Sequence, residues 1–255
     1  MSTNILLYPF SRLLLQWFSG ASGVGACTIQ VTNKCSFPIW PATASNAGHP
    51  VIAEGGFYLP PSRAKKIEAP ANWSGRLWGR TNCDFGPNPA CETGDCSGKL
   101  ACNGTIGTPP ATLVEFSLQP DSSKPSFHDV SLVDGYNLPI SVSPRGARCS
   151  PTPGCAKDLK SHCPPELRVT DHRGSVVACK SACLAFNLDV FCCRNDYGSP
   201  DKCHPSMYST MFKDACPAYF SYAYDMPPPL YSCVASEYVV TFCPSKWGLD
   251  SHQPM

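Results

Sequence analysis

The sequence predicts a mainly β protein stapled by disulfide bonds, and three observations lead there. The 255-residue chain carries 17 cysteines, far more thiols than a reducing compartment tolerates. Its 27 prolines and 19 glycines favour many short strands and turns over long helices. Apolar and polar residues alternate in several stretches, the period of a half-buried strand.

The elements follow in chain order. Ile5 to Phe18 is largely apolar and Gly20 to Ala26 is rich in small residues, so residues 1–26 read as a secretory leader. "CTIQVTNKC" then places Ile29 and Val31 against Thr28, Gln30 and Thr32, an opening strand, and "SEYVVTFCP" repeats the pattern near the other end. A bond between Cys35 and Cys243 would close the longest loop, worth about 4 to 5 kcal/mol in the chain-entropy model. In "PATLVEFSLQP" Val114, Phe116 and Leu118 share one face while Leu113, Glu115 and Ser117 share the other, so Glu115 points away from the packed side. "HDVSLVDGYNLPISV" reads as two apolar runs joined at Asp134-Gly135, a favourable hairpin turn. From Cys149 to Cys216 the composition shifts to nine cysteines. There "VVACKSACLAF" places Cys179 and Cys183 on one face of a short helix, and "SMYSTMF", with Tyr208 and Phe212, makes a second.

The same composition excludes several functions. Only 15% of residues are charged, the formal net charge is +1, and no long run of one sign exists, so nucleic acid and anionic lipid are not expected partners. No stretch after the leader approaches the roughly eighteen apolar residues of a membrane span. "CETGDC", residues 91–96, separates its cysteines by four residues rather than two and has no histidine nearby, which argues against both redox and zinc chemistry. No metal and no cofactor are expected.

The order "WGRTNC", "CETGDCSGKLAC", "PPATLVEFSL", "HDVSLVDGYNLP", "FCC", "CHPSMYSTMFKDACPAYFSYAYD" and "YVVTFCP" resembles the thaumatin-like proteins of plants, a pathogenesis-related defence group. The likeness runs from about Thr28 to Pro244 and places sixteen of the seventeen cysteines. It departs from the family pattern at Pro87 and Pro89, and at His128, where relatives often have an aromatic residue.

The resemblance implies eight bridges: Cys35–Cys243, Cys83–Cys91, Cys96–Cys102, Cys149–Cys233, Cys155–Cys216, Cys163–Cys179, Cys183–Cys192 and Cys193–Cys203. Cys27 is left over. It also implies a single domain over 27–248, followed by a polar tail at 249–255. An antiparallel β-sandwich (27–80, 110–155 and 217–248) would carry a small looped lobe (81–109) and a disulfide-rich helical lobe (156–216). Thr93-Gly94-Asp95 would make a tight turn between two bridges.

Between sandwich and helical lobe, similar proteins hold an acidic cleft of five residues, matched here by Arg76, Glu115, Asp129, Asp134 and Asp225. Glycoside hydrolysis needs one protonated and one ionised carboxyl group, for which Glu115 as acid and Asp129 as partner are the candidates. The same cleft can equally be a fixed negative surface for binding. Asp134 is as well explained by its turn and Asp225 as an ordinary turn acid. Arg76 is equally explained as neutralising crowded carboxylates. Asn72 and Asn103 head N-glycosylation sequons. The expected protein is therefore a secreted, monomeric defence protein of the apoplast or vacuole. It binds β-1,3-glucan or another wall polysaccharide, the alternative being a weak endo-β-1,3-glucanase.

Overall fold

A computed structural model describes residues 26–146 and 149–244; the expected leader before Ala26 and the polar tail lie outside them. The first half of the chain forms β1 (Cys27–Asn33), β2 (Ile39–Ser45), β3 (Ala64–Ala69), β4 (Ser74–Asp84) and β5 (Ala90–Thr93). Then come β6 (Leu113–Ser117), β7 (Ser126–Ser131), β8 (Ile140–Arg145), β9 (Arg168–Thr170) and β10 (Val176–Cys179). Three helices, α1 (Ala182–Phe186), α2 (Asp189–Cys192) and α3 (Met207–Ala215), precede β11 (Tyr231–Cys233) and β12 (Glu237–Phe242).

The alternation in the sequence becomes a two-layer sandwich. In β1 Ile29 and Val31 are buried while Thr28, Gln30 and Thr32 are half-exposed, so one face of the sheet β3-β1-β12-β8 is apolar. The second sheet runs β11-β7-β6-β4-β2, with β5 paired to β4. Leu77, Val114, Phe116 and Val130 of that sheet meet Ile29, Val31, Val240 and Phe242 of the first in one core. All sandwich pairings are antiparallel but one: β1 lies parallel to β12, in register from Thr28 with Glu237 to Asn33 with Phe242. Parallel neighbours need a long crossover, here almost the whole domain, and the Cys35–Cys243 bond fastens the two strands just past their ends. All eight expected bridges are present and Cys27 is free and buried.

Two local expectations are corrected here. Asp134-Gly135 does not join a hairpin: β7 and β8 belong to different sheets. The turn, closed by the Gly135 amide on the Leu132 carbonyl at 2.8 Å, starts a crossover between the layers. Gly135 has φ of +89°, and a Cβ there would stand 2.5 Å from Pro110 Cβ, so only glycine fits. Cys179 is not helical either. It ends β10, its amide and carbonyl both bonded to Tyr136, and the helix begins only at Ala182, where the Ser181 side chain accepts from the Leu184 amide. The second expected helix is α3, with a Ser206/Ser209 capping box, and Phe212 buried beneath it.

His128, the departure from the family pattern, sits inside the sandwich. It is 1% exposed, stacked on Tyr231 at 5.6 Å and edge-on to Tyr238, with Nε2 3.1 Å from the Thr152 hydroxyl. Burial lowers its pKa to about 4, so a neutral imidazole takes the place of an aromatic ring.

The looped lobe covers part of the outer face of the second sheet. Ala42, Ala44, Trp78 and Leu113 form a smaller core with Cys96, Cys102 and Ala111. Gly94, at φ +70°, offers its carbonyl to the Trp78 indole at 2.9 Å. Asp95 accepts from the Cys91 and Gly98 amides; Thr93 still belongs to β5 and the chain only bends at Gly94, so the tight turn comes later than expected, at Ser97-Gly98, with the Lys99 amide on the Cys96 carbonyl. Besides the β4–β5 pairing and the Cys83–Cys91 bond, Arg80 fastens lobe to sheet. Wholly buried, it donates to the carbonyls of Trp40, Lys99 and Leu100 at 2.9, 2.6 and 2.8 Å. Burial lowers its pKa to about 10, so the guanidinium stays charged.

Candidate functional site

Antiparallel register brings the acids together. β4, β6 and β7 are neighbours in which Arg76 lies opposite Glu115, and Glu115 opposite Asp129. Directly opposed residues project from the same face, so three residues far apart in sequence form one row across the outer face of the sheet. Along β6 the core-facing Val114 and Phe116 flank Glu115 and hold it to the other side.

This row floors an open cavity of about 430 Å³, next to the part of the face that the looped lobe covers. Phe220, Ala223 and Leu230, from the segment after α3, also line it, as does Asp134. Arg76 and Glu115 form an ion pair at 3.3 Å. Four of the five expected residues are therefore gathered. Asp225 is not among the residues lining the cavity: its Oδ2 accepts from Lys213 Nζ at 3.1 Å, the Ser221 amide at 2.8 Å and the Ser221 hydroxyl at 2.9 Å. Buried and neutralised by Lys213, it holds the 220–225 wall in place.

Electrostatics distinguishes the two central carboxyls. Burial raises Glu115, Arg76 pulls it back, and the charge of Asp134 raises it again. Asp129, 9% exposed, is pushed up to about 7 by burial and then by Glu115, with Arg76 opposing. Its Oδ2 is buried with no hydrogen-bond partner among the described residues. An ionised oxygen left so would be costly, whereas a protonated one is cheap. Of the two, Asp129 is the more strongly biased toward its protonated form, whereas Glu115 lies beside the guanidinium. Sequence alternation placed Glu115 correctly but could not show that Asp129 is the more deeply buried of the two.

Comparison with known proteins identifies the family. The thaumatin family profile matches residues 33–244, most of the chain. The chain belongs to the thaumatin family. The pathogenesis-related thaumatin-like protein 3.5 of Cryptomeria japonica is 47% identical over 92% of this chain and 97% of its own. A thaumatin-like protein of Arabidopsis thaliana is 46% identical over 95% of this thaumatin-family chain and 98% of its own. Among solved structures, a laminaripentaose-producing β-1,3-glucanase in complex with laminaritetraose superposes with TM-score 0.59 at 11% identity, covering 85% of this chain and 98% of that one, a likeness of fold.

Proposed function

We propose that this thaumatin-family protein is secreted, acts in plant defence against fungi, and holds β-1,3-glucan in the acidic cleft. The observation that carries the reading is the Arg76–Glu115–Asp129 row on the open face of the sheet. An ion pair beside a protonated acid offers donors and acceptors within one short span, which suits vicinal sugar hydroxyls. Eight disulfides fit the oxidising route that secretion implies. No helix among the described residues is long and apolar enough to cross a membrane. The laminaritetraose-bound glucanase, built on a similar fold, supports the choice of probe.

Insoluble β-1,3-glucan is expected to retain the wild type from solution and to bind Glu115→Gln/Asp129→Asn at least about tenfold more weakly. Equal retention of both would remove the cleft from the reading.

A second reading, weak endo-β-1,3-glucanase activity, is favoured by the inequality between the two carboxyls. Asp129, protonated up to about pH 7, would deliver the proton to the leaving oxygen, and ionised Glu115 would act as nucleophile or base. The wild type should then release reducing ends from linear β-1,3-glucan and Asp129→Asn should not. Equal release by both would end the catalytic reading.

Both sequon asparagines are exposed, at positive φ, Asn72 in the β3–β4 turn and Asn103 in the looped lobe. The secreted protein is expected to carry N-linked glycan at both. Enzymatic deglycosylation should sharpen and lower the gel band in two steps, and a band that does not move would show the sequons unused.

A further inference from the structure

We propose that the protein carries a second saccharide site, a pocket in which the Trp40 indole stacks on a neutral pyranose ring whose hydroxyls are held by Asn82 and Glu92. The pocket encloses about 350 Å³ and lies where the start of β2 and the end of β4 meet β5 and β10. That volume lies within the roughly 300–1,000 Å³ of small-ligand sites. It shares no lining residue with the acidic cleft. Asn82 lies six positions beyond Arg76 along β4, about 20 Å of strand.

The aromatic side of the pocket is out of the ordinary for this chain. Trp73 and Trp78 are fully buried, while Trp40 is half-exposed and Phe37 is 40% exposed. Trp40 is held between Tyr58, tilted at 5.4 Å, and Phe85, edge-on at 6.4 Å, so its indole is fixed rather than adaptable. Arg80 secures the same residue from below by bonding the Trp40 carbonyl. A rigid, half-exposed indole lining a pocket suits the axial C–H face of a pyranose.

The polar side is unspent. Asn82 and Glu92 are exposed, Lys160 is half-exposed, and none of the three side chains bonds or pairs with another described residue. Asn82 sits at φ +46°, where the strand breaks from extended geometry and redirects the amide. By contrast Asn137, also on the wall, commits its amide to Gly79, Thr93 and Thr112 and is framework. β10 contributes through an irregularity: its register slips between Val176 and Ala178, and the adjacent Val176 and Val177 both line the pocket. A regular strand would turn one of them away. One carboxylate and one ammonium leave the pocket without net charge, which disfavours phosphates and polycations and suits an uncharged, hydroxyl-rich ligand.

The test uses the full disulfide-bonded protein, ¹⁵N-labelled, with the Trp40 indole signal assigned through Trp40→Phe. Laminaripentaose and cellopentaose are titrated into the wild type, into Glu115→Gln/Asp129→Asn, and into Asn82→Ala/Glu92→Gln, whose changes are all at exposed positions. At least one oligosaccharide should move the Trp40 signal in the wild type and, with unchanged affinity, in the cleft variant. Asn82→Ala/Glu92→Gln should bind at least about tenfold more weakly. A signal that stays still with both sugars, that moves equally in Asn82→Ala/Glu92→Gln, or that stops moving in the cleft variant overturns the site. Because the cleft variant is read separately, failure of the acidic cleft to bind glucan leaves this outcome intact.

Discussion

Arg80→Met is expected to lower stability by about 3–5 kcal/mol, since it removes three charge-assisted, part-buried hydrogen bonds to carbonyls of two separate segments. Arg80 is wholly buried and its three nitrogens reach Trp40 on β2 and Lys99 and Leu100 in the looped lobe. Methionine fills much of the volume and satisfies none of the carbonyls. At roughly 2–4 °C per kcal/mol for a domain of this size, the melting temperature should fall by about 10 °C or more. Hydrogen exchange adds a finer signature: amides of residues 94–103 should lose protection before those of β1 and β12, because β5 stays paired to β4 and tied to it by Cys83–Cys91 while the rest of the lobe loses its anchor. Arg80→Lys should recover little, since one ammonium cannot span three carbonyls on different segments. Unchanged melting in Arg80→Met would mean that the small core of Ala42, Ala44, Trp78 and Leu113, with the β4–β5 pairing and the Cys83–Cys91 bond, holds the lobe without it.

Arg80 also shows where sequence reading stopped. Arg76 and Arg80 lie in the same short stretch, "GRLWGR", and both project from the outer face of the sheet. The family match selected Arg76; nothing local marks the other as buried. What buries Arg80 is a lobe formed mostly after it in the chain, and alternation along one strand says nothing about what later covers that face. The same gap explains Leu113. It shares Glu115's outward face and also lines the cleft, yet it is 5% exposed because it packs into the small core under the lobe. By contrast, β1, β6 and β12 were legible because their inner faces meet a core that period-2 alternation reports directly. Asp134-Gly135 was legible as a turn but not as a crossover, since a turn dipeptide fixes local φ and ψ and leaves the partner of the next strand open.

The acidic row follows from register, and register was beyond the sequence. A slip of one residue between β6 and β7 would turn Asp129 toward the Phe116–Tyr238 aromatic core and His128 toward the cleft. His128, stacked on Tyr231 and edge-on to Tyr238, opposes that slip. The residue that departs from the family pattern therefore helps fix the neighbour on which the cleft depends.

Asp129 itself should be a burden on the fold above neutral pH, and its removal should show this. An ordinary aspartate titrates near 3.8, whereas burial, then the charge of Glu115, and against them Arg76, leave Asp129 at about 7 in the folded protein. Below pH 3.8 both folded and unfolded chains hold the proton, and the residue costs nothing. Between 3.8 and about 7 the folded state keeps a proton that the unfolded state has released, so stability falls as pH rises. Above about 7 the full cost remains, about 4 kcal/mol at 1.36 kcal/mol per pH unit. Asp129→Asn carries no such charge. Urea unfolding should find it more stable than wild type by about 3–4 kcal/mol at pH 8, with the difference shrinking toward zero by pH 4. The same variant should lose glucan affinity or hydrolysis, the pattern of a residue kept for its chemistry at the expense of stability. Parallel stability curves at every pH would show that Asp129 is not a buried acid, and the proton that the cleft is proposed to hold would have no place to reside.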